Sequence, residues 1–284
     1  MNTIVISGAN GFIGNYLVRH FVAKGWSVIA LVRTPPALPM KGVEYRLYDM
    51  LLEPATDLLQ GADCFIHAAY LPNDFGRNVA AAEQLLMLSR KFGIRRNVFI
   101  SSFSSSADAV SLYGKQKHAV EQFFNSDKDA IVRPGTVLGD GGLFKRMSTH
   151  IKKGGRVPMI EGGRQPLQTV AVDDLCMAIE KILVNGLAGS FNVAETESLT
   201  YKEFFMILAS LHGVKVRFIP MPYRLLDSLL QLTEGLGISL PVGRENLRGL
   251  KALRYHETKT DLQRLGIVVK DCKTSLEALF KNNR

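Results

Sequence analysis

The feature that most constrains this chain is a short apolar run followed at once by three evenly spaced glycines. The run is TIVISG at positions 3–8, and the glycines are Gly8, Gly11 and Gly14. From 12 to 24, apolar residues then recur at helical spacing. A β-branched run predicts a strand buried on both faces, and the helical period predicts an amphipathic helix. We therefore expect the chain to open with a strand, a tight glycine turn and a helix.

Strand and helix patterns go on alternating as far as residue 135. Alternation of this kind predicts parallel strands joined by right-handed crossovers, and so an α/β fold with a Rossmann-type doubly wound sheet. The predicted strands that follow the first are 27–33, 43–49, 63–69, 97–102 and 129–135, and the predicted helices after the first are 54–61, 76–93 and 111–126.

The pattern changes after Gly135. We interpret 137–170 as loop-rich, followed by a helix with Asp173 and Asp174 as cap and first-turn anions, a strand at 189–194, and a mostly helical tail with one strand at 214–220. The resulting division is a dinucleotide-binding Rossmann domain at 1–135, to which 168–194 returns, and a smaller C-terminal substrate-binding lobe formed by 136–167 and 195–284.

Composition narrows the classes of partner. The net charge is +9, but there is no run of five like charges, and the basic stretches lack the interleaved aromatics of nucleic-acid binders. We expect no nucleic-acid partner, no transmembrane segment and no metal site. Cys64, Cys176 and Cys272 are sparse and far apart, which is typical of reduced thiols, and a strand pattern within three residues of the start leaves no room for a signal peptide. The expected location is the cytoplasm.

The glycine turn predicts a bound dinucleotide. Gly8 permits a sharp turn, Gly11 lets the backbone approach a pyrophosphate, and Gly14 lets the helix pack closely on the sheet. The helix N-terminus offers unpaired N–H groups to that anion, so the intervening Asn10, Phe12 and Ile13 are also predicted to bind the cofactor. A plain tight turn is the alternative.

The end of the second predicted strand indicates which cofactor is bound. Val32 stands where an NAD-binding protein would place an acidic residue, and Arg33 and Thr34 follow. Arginine can clamp a 2′-phosphate with two hydrogen bonds, so we predict NADP (NADPH) in preference to NAD. Alternatively, Arg33 merely ends an exposed strand.

The G-x-x-G-x-x-G spacing resembles the extended branch of the short-chain dehydrogenase/reductase superfamily, which contains NAD(P)-dependent epimerases and dehydratases. Similar motifs cover about the first 195 residues: YDMLL at 48–52, FIHAAY at 65–70, RPGTVLGDG at 133–141 and LQTVAVDDL at 167–175. The resemblance implies further cofactor contacts at Asp49, Met50, Ala68, Ala69, Tyr70 and Pro134. It also implies a possible homodimer.

The catalytic candidates lie near the fifth predicted strand. Tyr113 and Lys117 are four residues apart and share one face of a helix. A phenol with a pKa near 10 is a poor base, and a neighbouring ammonium favours its ionised form. Tyr113 would be the acid/base, and Ser102 would donate a hydrogen bond to the substrate oxygen. Ser104 is the alternative residue for the role of Ser102. By resemblance, Lys117 would also hold the nicotinamide ribose.

These residues predict an NADP-dependent oxidoreductase or epimerase that moves hydride to or from a carbinol or keto carbon. The resemblance implies a nucleotide-sugar substrate, often a 4-keto sugar. Only ten residues separate Ser102 from Tyr113, and the usual VYG is missing, so the substrate loop departs from the family. A diphosphate would fit the basic residues Lys145, Arg146, Lys152, Lys153, Arg156 and Arg164.

Two questions remain open at this point. A non-catalytic NADP-binding sensor or assembly subunit is the alternative to an enzyme, although such a protein has no need of Tyr113. The amphipathic tail at 222–253 forms either the core of the substrate lobe or a contact with a membrane or partner.

Overall fold

The structure is a computed structural model, and it describes residues 2–72, 74–235 and 244–282. Its strands are β1 Thr3–Ser7, β2 Ser27–Val32, β3 Val43–Leu47, β4 Cys64–His67, β5 Arg96–Ile100, β6 Ala130–Pro134, β7 Thr136–Leu138, β8 Gly155–Ile160, β9 Pro166–Leu167, β10 Thr169–Ala171, β11 Gly189–Val193, β12 Leu199–Thr200 and β13 Val216–Met221. Its helices are α1 Phe12–Ala23, α2 Phe75–Lys91, α3 Leu112–Glu121, α4 Gly142–Lys152, α5 Val172–Asn185, α6 Tyr201–Leu211, α7 Tyr223–Gly235, α8 Arg244–Lys251, α9 Lys259–Leu265 and α10 Cys272–Asn282, with a 3₁₀ turn at Glu161–Gly163.

The central sheet has seven parallel strands in the order β11-β6-β5-β4-β1-β2-β3. Strand order reverses between β1 and β4, where Ile4 lies opposite both Val28 and Cys64. A crevice opens at such a reversal, beyond the carboxyl ends of the strands. The predicted Rossmann-type doubly wound sheet is confirmed.

Both faces of the sheet are covered. Ile4 and Ile6 of β1 pack with α1 and α5 on one face of the sheet. Val5, between them, packs with Phe65 of β4 and Leu85 of α2 in the core of the opposite face. Side chains alternate across a strand, so a run that is apolar at every position requires helices on both sides.

A second apolar core lies beyond the sheet. It is built by α4, α6, α10 and the parallel pair β8–β13, with Phe144, Ile151, Phe204, Leu208 and Leu276 among its buried members. Between α8 and α10, α9 instead joins the core of the main sheet through Leu262 and Leu265. None of the helices in the described ranges is long and apolar enough to span a membrane.

Three local predictions were wrong. Residues 54–61 form successive turns instead of a helix, with Leu58 N–H bonded to the Ala55 carbonyl. The stretch 137–170 holds α4 and short strands, since its glycines flank the helix instead of interrupting it. Ala171, not Asp173, is the N-cap of α5, and both aspartates lie in its first turn. Residues 236–243 of the predicted amphipathic tail lie outside the described residues.

Candidate active site

The glycine turn after β1 is packed backbone against backbone. Gly8 has φ +71°, and a Cβ there would lie 2.7 Å from the Cα of Ala69. The Gly11 N–H donates to the Gly8 carbonyl at 2.8 Å. A Cβ on Gly14 would lie 2.1 Å from that same carbonyl oxygen. Gly8 and Gly14 are therefore required by close approaches to backbone atoms, whereas a Cβ on Gly11 would only be tight, at 3.0 Å from the Gly8 carbonyl oxygen.

The N-terminus of α1 is open to an anion. Its N-cap, Gly11, supplies no side-chain hydrogen bond, and the first turn carries no acidic residue. The first N–H groups of a helix have no partner within it, and they carry partial positive charge. The Phe12 ring turns away and packs against Gly139 and Gly141, where added Cβ atoms would meet it at 2.9 and 2.4 Å. The residues present therefore fit a dinucleotide pyrophosphate.

Substitution of Gly14 by alanine is expected to destabilise the protein by about 2–4 kcal/mol, because the new Cβ must displace backbone instead of a flexible side chain. Chemical denaturation measures this. Gly76 of α2 is the matched control, since a Cβ there meets nothing within 4 Å, and Gly76→Ala should change stability by less than about 1 kcal/mol. Equal effects at the two positions would rule out the close packing of the turn.

The second and third strands end at the same edge as the glycine turn. Arg33 and Thr34 are exposed just beyond β2, and the Asn10 side-chain amide donates to the Thr34 carbonyl at 2.8 Å. Arg33 forms no hydrogen bond or ion pair with any part of the chain that the structure describes. Beyond β3, the Asp49 carboxylate accepts from the Leu51 N–H at 2.9 Å, and Met50 is buried.

The end of β4 is fixed by a buried polar pair. The Ser7 hydroxyl lies 2.8 Å from Nδ1 of His67, beneath the half-buried Ala68 and Ala69. Burial, helped by the positive charge of Lys117, lowers the pKa of His67 to about 3. His67 is thus neutral at physiological pH, and it holds β1 and β4 together where the glycine turn begins.

Ser102 and Tyr113 meet because the loop between them lies directly on α3. Gly114 follows Tyr113, and a Cβ on Gly114 would lie 2.2 Å from the Ser104 carbonyl oxygen. Burial raises the pKa of Tyr113 to about 12, a hydrogen bond with the Ser102 side chain lowers it, and Tyr70 raises it. Ser104 contributes its backbone N–H, which donates to the Ser102 hydroxyl at 3.1 Å. The geometry favours Ser102 over Ser104 as the partner of the phenol.

Lys117 is buried beneath these two side chains. Its Nζ donates to the Ile100 carbonyl at 2.7 Å and lies 4.8 Å from the centre of the Phe99 ring and 5.7 Å from that of Tyr113. Burial lowers the pKa of Lys117 to about 8, although Glu121 acts to raise it. Burial is the main cause of the raised pKa of Tyr113, and the effect of the nearby ammonium on the phenol stays a prediction.

Sequence reasoning missed Glu121, which lies one helical turn beyond Lys117. Its buried carboxylate accepts two hydrogen bonds from the Arg133 guanidinium and one from Ser101. Burial alone would raise the pKa of Glu121, but these hydrogen bonds lower it overall. The four-residue spacing from Lys117 was a signal that could have identified it.

Two further predicted contacts border the pair. The Tyr70 ring stands edge-on to Tyr113, with centroids 5.1 Å apart, and its hydroxyl donates to the Gln116 side chain at 3.1 Å. Pro134 ends β6, and its carbonyl accepts from the Phe103 N–H at 3.2 Å. The carboxyl ends of β1 to β6 therefore bring together the predicted cofactor and catalytic residues.

The six basic residues predicted to bind a diphosphate are all exposed. Lys145 forms a 3.0 Å ion pair with Asp140. Lys145 and Lys152 line a surface pocket of about 440 Å³ together with His212 and Phe280, and that lining does not include Ser102, Tyr113 or Lys117. The structure thus places these two lysines apart from the catalytic candidates.

Two relatives are similar to this chain over about three quarters of its length. The chain is 25% identical over 240 residues to subunit 9 of the NADH dehydrogenase [ubiquinone] 1 alpha subcomplex of Arabidopsis thaliana, which covers 77% of this chain and 60% of that relative. The chain thus spans less than two thirds of that protein. It is 28% identical over 243 residues to a ceramide reductase of Caulobacter vibrioides, covering 77% and 73% of the two chains.

The fold has close counterparts among solved structures. MoeE5, determined in complex with UDP-glucose and NAD, superposes with a TM-score of 0.75 over 99% of this chain and 98% of its own, at 19% identity. The sequence profile of the NAD dependent epimerase/dehydratase family matches residues 4–194, a range that holds the glycine turn, Ser102, Tyr113 and Lys117. The chain belongs to that family.

Proposed function

We propose that the protein uses NADPH to reduce a keto carbon, with a nucleotide-linked sugar as the substrate class. One observation carries the proposal: the Ser102 hydroxyl, the Tyr113 phenol and the buried Lys117 ammonium converge at the carboxyl end of β5. A protein that only binds a dinucleotide needs the glycine turn but not this set of proton donors.

In this mechanism the bound nicotinamide supplies hydride. Tyr113 donates its proton to the carbonyl oxygen, and the Ser102 hydroxyl donates a hydrogen bond to the same oxygen as negative charge develops. Lys117 keeps a positive charge beneath the phenol, which favours the phenolate left after proton transfer.

The state of the phenol suits the proton donation that reduction requires. Burial raises the pKa of Tyr113 to about 12, so the free protein holds a protonated acid at neutral pH. Reduction consumes a proton at the carbonyl oxygen, and the same phenol, once ionised, would be the base in the reverse direction. An epimerase, which must carry out both half-reactions at one site, would need the phenol to exchange its proton without net loss.

The substrate class rests on two kinds of support. MoeE5, which has the same fold, was determined with UDP-glucose. The ceramide reductase relative points to a lipid ketone instead, and one observation here favours that candidate: Leu225, Leu229 and Leu232 form an exposed stripe along α7. Three leucines at helical spacing make a surface that an acyl chain could cover.

The experiment that tests the function follows NADPH absorbance while nucleotide-linked keto sugars and long-chain ketones are supplied in turn. Net reduction oxidises NADPH in proportion to substrate, whereas epimerisation interconverts sugars without lasting change in absorbance. Turnover of the sugars but not the lipid ketones supports the proposal, and the reverse favours the lipid candidate. No turnover with either class would contradict an enzyme of this kind.

A non-catalytic cofactor-binding subunit is the second candidate from a different class. It is favoured by the similarity to a subunit of a mitochondrial NADH dehydrogenase. Under that function NADPH would bind and remain unoxidised with every ketone, and the protein would be recovered as part of a larger assembly.

The pH dependence of turnover should report Lys117. Its pKa is lowered to about 8, so the ammonium is present below that pH and is lost as pH rises through it. We expect kcat to decline on the basic side near this value. Glu121→Gln removes the carboxylate that raises the pKa of Lys117, so the decline should move to lower pH. An unmoved basic limb in a folded Glu121→Gln variant would show that another group titrates.

A further inference from the structure

A residue of the tail contacts the start of the catalytic helix. The Oε2 atom of Glu245, in α8, accepts a hydrogen bond from the Leu112 N–H at 2.7 Å, although 133 positions separate the two residues. The Oε1 atom of the same carboxylate accepts from Arg248 at 2.7 Å, so both oxygens are held. Leu112 immediately precedes Tyr113, and this contact therefore fixes the backbone from which the phenol extends.

The N-terminus of α3 has a particular need for such a partner. The first N–H groups of a helix have no acceptor within it. The Ser111 hydroxyl caps the Gly114 N–H at 3.1 Å, but it leaves that of Leu112 to Glu245. A carboxylate at a helix N-terminus is also favoured by the helix dipole. A group from outside the sheet thus completes the cap of the helix that carries the catalytic candidates.

Other tail residues reach the loop that leads into α3. The His256 ring stacks on Phe103, with centroids 4.2 Å apart and planes 17° from parallel, one residue beyond Ser102. Arg254 lies 3.8 Å from the Asp108 carboxylate. Tail residues therefore touch this ten-residue loop near both of its ends and in between.

We propose that Glu245 is a positioning residue, which holds the first turn of α3 so that the Tyr113 phenol stays against Ser102. The inference rests on the proposed function, since it assumes that Tyr113 is the proton donor. It assigns to the tail a role in catalysis, in addition to any role in enclosing substrate. Glu245 itself does not touch the reacting atoms.

The test is a double-mutant cycle with the full chain. Glu245→Ala should lower kcat about tenfold and leave the KM for NADPH within about twofold, because one charge-assisted hydrogen bond is lost. Glu245→Gln keeps an acceptor oxygen and should retain most of the activity. In a Tyr113→Phe background, Glu245→Ala should have little further effect, because no phenol remains to be positioned. The same loss of kcat in both backgrounds would overturn the proposal.

A second measurement does not depend on turnover. Hydrogen exchange of the Leu112 amide should become at least about tenfold faster in Glu245→Ala and stay near wild type in Glu245→Gln. Asp227→Ala is the matched control, since it breaks the Asp227–Arg244 ion pair between α7 and α8 without touching α3, and it should leave both exchange and kcat unchanged. An unprotected Leu112 amide in the wild type would refute the contact. Protection in a protein that reduces no ketone would instead refute the proposed function alone.

Discussion

Replacement of Tyr113 by phenylalanine is expected to lower kcat by about 10²- to 10⁴-fold, the usual contribution of a positioned general acid. The ring would keep its edge-on contact with Tyr70, so only the phenolic oxygen is removed. The KM for NADPH should stay within about threefold. The lost interaction is made only in the transition state, so binding of NADPH in the ground state does not change. Steady-state kinetics with the substrate found by the NADPH assay measures both constants.

A matched control separates loss of the acid from general damage. Tyr45→Phe removes another phenol, one that accepts from the Met40 N–H at 3.2 Å beside β3. Turnover of that variant should stay within about twofold of the wild type, since Tyr45 lies in the edge strand β3, away from Ser102 and Lys117. A Tyr113→Phe variant with full activity, or with an undiminished role in cells, would mean that the protein is not an enzyme of this type. The non-catalytic subunit would then be the better description.

Local patterns were enough to predict the sheet and the location of the site. Each β–α–β unit spans only about thirty residues, and its apolar patterns and glycine spacing lie within that stretch. The parallel order of the strands follows from the alternation of strands and helices. Tyr113 and Lys117 were found in the same way, because four-residue spacing on a helix places side chains on one face. In each case the residues that make the relevant contacts are close together in the sequence.

The errors have equally local causes. Leu58 and Leu59 suggested a helix, but they are buried by a series of turns that are too short to continue as one. The glycines at 139–142 and 154–155 suggested a loop, although the stretch between them carries Phe144, Met147 and Ile151 on one buried face. Glycine often lies at the end of a helix and does not by itself indicate a loop. The helical spacing of the apolar residues between the two groups of glycines was the better indicator.

The environment of the catalytic candidates could not be predicted, because it is made by distant parts of the chain. Glu245 and His256 reach the loop around Ser102 from more than 130 positions away. Nor does sequence reveal that the Lys117 ammonium is bound to the Ile100 carbonyl and lies beneath the phenol, where burial sets both pKa values. Residue identity was predictable, whereas the burial that determines the proton chemistry depends on the assembled fold.

Arg33→Ala is expected to raise the KM for NADPH about 10- to 100-fold and to leave that for NADH within about threefold, since hydrogen bonds to a charged group contribute about 1.5–3 kcal/mol. The guanidinium is exposed just beyond β2 and is not committed to any part of the chain that the structure describes. It can therefore bind a 2′-phosphate without first breaking an existing contact. The ratio of kcat/KM for the two cofactors measures the effect, at low and at high salt.

Arg95→Ala is the matched control, because it removes the same charge from an exposed position just before β5, at the opposite edge of the sheet. If Arg33 acts by contact, only its loss changes the cofactor ratio. If the net charge of +9 merely attracts anions, both variants weaken NADPH equally, and high salt removes the difference. Equal losses of NADPH and NADH in Arg33→Ala would remove the argument for NADP, because both cofactors share the pyrophosphate and only one carries the 2′-phosphate that Arg33 would bind.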